Sequence, residues 1–129
     1  MTEKTYTSGS SPYEKLYGFS RALRAGNQIH VAGTAPIEDD GGSTPGDAAA
    51  QTRRCFAIAV KAIEELGGSA ADVVRTRMFI TDPNDADAIG KVHGEFFGEA
   101  RPAATMVVVA SLLRDEWRVE IEVEARVQD

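Results

Sequence analysis

The stretch "WRVEIEVEARV", residues 117–127, alternates so strictly that it can fold only as a strand with two unlike faces. Successive side chains of a strand point to opposite sides, so Trp117, Val119, Ile121, Val123, Ala125 and Val127 share one face. Arg118, Glu120, Glu122, Glu124 and Arg126 share the other. The apolar set requires a layer of helices beneath it. The opposite face carries three carboxylates in a row, and a neighbouring strand must offer groups that tolerate them.

"ADVVRTRMFITD", residues 71–82, reads as that neighbour, with Val74, Thr76, Met78 and Ile80 on one face and Arg75, Arg77 and Phe79 on the other. The helices come from two segments. "AAAQTRRCFAIAVKAIEELGG" repeats Phe56, Ala59, Val60, Ile63 and Leu66 at helical spacing, with Asp47 as N-cap and Gly67-Gly68 as stop. A second helix begins near Pro83 or Asp85 and carries Ile89, Val92, Phe96 and Phe97. Its Gly90 and Gly94 each cost about 1 kcal/mol against alanine, which leads us to expect a close approach there. "YGFSRALRAGNQIHVAGT" forms two strands about a Gly26-Asn27 turn. In "ARPAATMVVVA" Pro102 is placed to start a strand, since proline is tolerated at a strand's first residue.

The element order is therefore β-β-α-β-α-β-β. We expect an α+β fold with a mixed sheet and both helices packed on one face, parallel neighbours across the helical crossovers and antiparallel ones at the terminal hairpins. Residues 1–12 read as a polar arm, mobile or lightly docked, and 13–129 as a single domain. Phe79 and the run Met106 to Ala110 would face water in a monomer, so the sheet suits an oligomer.

A net charge of −6 argues against nucleic-acid binding, which needs a basic face. The single cysteine, Cys55, allows no internal disulfide and no cysteine-based metal framework, and its helix position reads as packing. "MTEKTYTSGSSP" lacks the apolar region of a signal peptide, and no apolar run approaches the roughly 18 residues of a membrane helix. The expectation is a cytoplasmic protein.

Four stretches, "GFSRALRAGNQIHVAGTAP", "GGSAADVVRTRMFITD", "HGEFFGEARPA" and "VEIEVEA", make the chain resemble the RidA/YjgF family, also labelled endoribonuclease L-PSP. Each stretch is weak alone; in this order and spacing, over nearly the whole chain, they are specific. The resemblance implies a chorismate-mutase-like fold and a homotrimer, with a small-molecule cleft between subunits. It implies hydrolysis of reactive enamines and imines such as 2-aminoacrylate, with no metal or organic cofactor.

The resemblance also assigns roles. Glu120 matches the family's carboxylate near the attacking water, and Gly33 the place where backbone groups approach the ligand. The family's arginine clamp for the substrate carboxylate falls on Ala104, beside Thr105. A guanidinium grips a carboxylate through two parallel hydrogen bonds, which alanine cannot replace. Arg101 does not substitute: three residues away, it points to the other face and starts roughly 10 Å off. Ile89-Gly90 stands in place of Val-Asn, His93 in place of a tyrosine, and Phe19 in place of an aromatic that is commonly tyrosine.

The substrate-binding candidates are thus Phe19, Arg21, Gly33, His93, Phe97, Ala104 and Thr105, with Glu120 as the catalytic one. Without another anchor, small 2-imino acids should turn over two to three powers of ten more slowly. The vacated space at Ala104, beside aromatics, suits an apolar group. Arg21 is the cation placed to recruit an acidic ligand from a different angle. His30 has no assigned role. Three classes stay open: an altered imine hydrolase, a non-catalytic ligand-binding or regulatory trimer, and the ribonuclease or translation-inhibitor role, which the acidic charge disfavours.

Overall fold

In the computed structural model, which describes residues 3–128, a six-stranded mixed sheet carries its two long helices on one face, the chorismate-mutase-like α+β architecture. The strands are β1 (Lys4–Thr7), β2 (Ala22–Ala25), β3 (Gln28–Thr34), β4 (Val73–Ile80), β5 (Ala103–Val108) and β6 (Val119–Arg126). The helices are α1 (Tyr13–Tyr17), α2 (Ala48–Glu65) and α3 (Ala86–Phe97). Asp47 caps α2 by accepting a hydrogen bond from the Ala50 amide, which satisfies one of the donors left open at a helix start. Gly67, at φ +90°, supplies the left-handed residue that ends it. A 3₁₀ turn, Pro83–Asp85, leads into α3.

The strand order is β1-β2-β3-β6-β4-β5, and this departs from the expected hairpins. β6 does not pair with β5; it inserts between β3 and β4, antiparallel to both. β3 and β4 are therefore not neighbours, and β4–β5 is the parallel pair. The alternation explains the central place. Val119, Ile121, Val123 and Ala125 are all sealed under the helices, and the middle of a sheet buries such a row best. Phe56 of α2 anchors the helix layer, with ring contacts to Phe96 and Phe97 of α3.

Three sequence expectations need correction. Part of the arm is structured: Lys4–Thr7 is the edge strand β1, paired antiparallel with β2, while residues 1 and 2 of the arm and residue 129 lie outside the described residues. Val74 does not join the buried face, because a register shift between Val73 and Arg75 turns Val73 inward and leaves Val74 49% exposed. Among the described residues of a single chain, no atom from outside their own stretch of helix comes within 4 Å of a Cβ added at Gly90 or Gly94, so the close approach expected there is not made within the chain.

On the sheet's other face the carboxylate row meets basic side chains. Arg77 bridges Glu122 and Glu124, and His30 lies 3.6 Å from Glu124. These pairs are half exposed, so each contributes little to stability, but together they order the face.

Candidate functional site

The end of β3 and the start of β6 come together beside the N-terminal segment. Their register shifts between Val31 and Thr34, and there Gly33 comes up against Glu120: a Cβ on Gly33 would lie only 2.6 Å from Glu120 Oε2. Only a residue without a side chain leaves the carboxylate where it is. Arg21, just ahead of β2, donates from Nη2 to the Gly33 carbonyl. Phe19, Arg21, Gly33 and Glu120 all line one cleft of about 940 Å³, whose further walls include Ser8 to Tyr13, Lys61 of α2, and Trp117.

Burial raises the Glu120 carboxyl above the usual carboxylate range; Arg21 opposes that shift and Glu122 adds to it. Burial likewise lowers the affinity of Arg21 for its proton, against the charges of Glu14 and Glu120. A half-buried carboxyl with a raised pKa, beside a cation and an aromatic ring, is suited to accept and return a proton.

The remaining candidates lie elsewhere. Ala104 is exposed on the edge strand β5, in register with Thr76, whose hydroxyl is 2.8 Å from His93 Nε2. His93 packs edge-on against Phe56, and burial lowers its pKa, favouring the neutral ring. Phe97 is a core residue, 1% exposed, with no surface open to a ligand within the chain. Thr105 points to the carboxylate-bearing face, where its hydroxyl accepts from Arg75 Nη2. Arg101 is exposed, at φ 52°.

Glu120 is in register with Phe79, three residues along β4 from Thr76, so Glu120 and Ala104 point to opposite faces. They lie two strands apart and three residues along, roughly 14 Å at standard spacings. A single chain therefore presents two separate groups of candidates: Phe19, Arg21, Gly33 and Glu120 in the cleft, and His93 and Ala104 towards the far edge.

Glu14 was not legible as part of this neighbourhood. It sits on α1, is 8% exposed, and accepts from the Gly9 amide while its charge acts on Arg21. A five-residue helix closed by Gly18 at φ +77° was the signal available, in "YEKLYG".

Residues 6–127 match the model of the Endoribonuclease L-PSP family. The chain belongs to that family. A 2-iminobutanoate/2-iminopropanoate deaminase of Escherichia coli is 35% identical over 83% of this chain and 84% of its own. The 3-aminoacrylate deaminase RutC of Acinetobacter baylyi is 36% identical over 82% of this chain and 84% of its own. The crystal structure of a YjgF/YER057c/UK114 family member from Mycobacterium tuberculosis superposes with a TM-score of 0.87 at 39% identity, covering 97% of this chain and all of the other.

Proposed function

We propose that this protein hydrolyses a reactive enamine or imine to the carbonyl compound and ammonia, in a cleft shared between subunits of a homotrimer. The observation that carries the chemistry is Glu120, half-buried with its pKa raised and held against Gly33 beside Arg21. Two relatives named as deaminases of an imino acid and an aminoacrylate support the substrate class.

In this reading Glu120 takes a proton from water as the water oxygen adds to the imine carbon, and the C=N π electrons move to nitrogen. Glu120 returns that proton to nitrogen to give the neutral carbinolamine, then carries the carbinolamine's hydroxyl proton to nitrogen as the adduct collapses. The C–N bond breaks, the carbonyl forms and ammonia leaves, so one water is consumed per imine. An enamine enters the same sequence after its carbon is protonated.

The separation of the two residue groups favours a shared cleft. Ala104 and His93 cannot reach Glu120 within one chain, whereas the edge strand of a neighbour can close the open side of its cleft. Alanine at 104 alters the substrate range, making room for an apolar group.

The test is a coupled assay that generates imines in situ, of both small and more apolar amino acids, and follows carbonyl release. The protein should accelerate at least one, and Glu120→Gln should abolish the acceleration. Release at the uncatalysed rate throughout would overturn the proposal in favour of a non-catalytic trimer.

A further inference from the structure

Three arginines line the cleft, and two of them have their charge or hydrogen bonds occupied. Arg54 is bound to the Ile37 carbonyl, Glu38 and Asp39. Arg114 donates to the Gly41 carbonyl and stacks over Trp117. Arg21 differs. Its guanidinium has five N–H donors, yet among the described residues the Gly33 carbonyl is the one acceptor it finds. Among the described residues its buried Nε has no partner and no carboxylate comes within ion-pair distance. A buried donor without an acceptor costs free energy, and a cation held in a cleft with most of its donors unspent is built to receive an anion.

We propose that Arg21 is the carboxylate anchor of this cleft, replacing in function the arginine absent at Ala104. The inference rests on the hydrolytic reading above and names the acidic end of its substrate. Gly33 fixes the guanidinium through its carbonyl, so the fork is oriented before the ligand arrives, and the anchor stands on the same chain as Glu120. The charges of Glu14 and Glu120 also act on Arg21. They repel a dianion more strongly than a monoanion, which selects a carboxylate over a phosphate. The substrate then lies with its carboxylate at Arg21 and any apolar group turned away from it.

Calorimetry on the intact protein tests this with three probes: 2-oxobutanoate, its methyl ester, and inorganic phosphate. The wild type should prefer the acid to the ester and ignore phosphate. Arg21→Gln should weaken the acid about 10- to 100-fold, the usual worth of a charged hydrogen bond, and leave the ester unchanged. Arg21→Lys keeps the charge without the fork and should fall between; it carries the comparison if the glutamine variant does not fold. Acid binding unaltered in either variant, equal binding of acid and ester, or phosphate binding as tight as the acid's would each overturn the assignment. The imine assay separates the two ideas. Arg21-dependent acid binding without turnover upholds the anchor and removes the hydrolase, whereas turnover with full acid affinity in Arg21→Gln does the reverse.

Discussion

Gly33→Ala is the sharpest single perturbation of this site. Gly33 is not among the glycines with positive φ, so alanine can adopt its backbone conformation. The new Cβ would stand 2.6 Å from Glu120 Oε2 and 3.7 Å from its Cδ. Ordinary carbon–oxygen contacts lie at about 3.3–3.6 Å, so the carboxylate oxygen must retreat by roughly 0.7–1 Å. The stability cost is small. Replacing glycine at a compatible site stabilises by about 0.4–1 kcal/mol through the unfolded chain, and an off-rotamer glutamate costs about 0.5–1.5 kcal/mol. The net change should stay within about 1 kcal/mol, with Tm nearly unchanged by circular dichroism. Catalysis should suffer far more, because a 1 Å misplacement of a reacting group costs up to about 100-fold. Carbonyl release should show kcat down about 10- to 100-fold with KM little altered, the mark of a contact that matters in the transition state. Undiminished kcat in Gly33→Ala would refute the placement of the catalytic carboxylate.

Three other outcomes follow from the structure. The Glu120 carboxyl is raised by burial, so its ionised form opposes folding: Glu120→Gln should raise Tm at pH 7, and the gain should vanish as pH falls below the ordinary carboxylate range, as paired thermal melts will show. Val73→Ala should cost about 1–3 kcal/mol in urea denaturation and Val74→Ala under about 0.5, because the bulge buries the first, at 2% exposure, and not the second. Ala104→Arg, on an exposed edge strand, should fold normally and, in an Arg21→Gln background that has lost its own anchor, restore 2-oxobutanoate binding about 10- to 100-fold by calorimetry; no recovery would mean that the far half of the cleft has lost more than its guanidinium.

The sheet's two-sidedness was legible because alternation over residues 117–127 admits no other element, and the helices because their apolar spacing is regular. What escaped notice depends on tertiary placement. β1 is four half-polar residues on an edge, "KTYT", with no pattern to mark it. The inversion of Val73 and Val74 comes from one extra residue in a ladder, and a bulge shifts faces without changing composition. β6 passes over β5 to the centre because its apolar row is the more completely buried, a comparison between strands that no single segment contains. At the site, the contact between Gly33 and Glu120 joins residues 87 positions apart in the sequence. The resemblance named both, but their distance is a property of the bulge between Val31 and Thr34. The division of the candidates between two faces also needed the strand register.

The shared, hydrolytic cleft is tested most directly by mixing two inactive variants. Glu120→Gln disables the half of the site on β6, and Ala104→Trp blocks the half on β5. Co-refolded in equal amounts, random trimers place an intact β6 half against an intact β5 half at about one site in four. The account predicts that the mixture recovers about a quarter of wild-type imine hydrolysis, where either variant alone has none. A mixture that stays inactive, with mixed trimers demonstrated by mass, would contradict it and confine the site to a single chain.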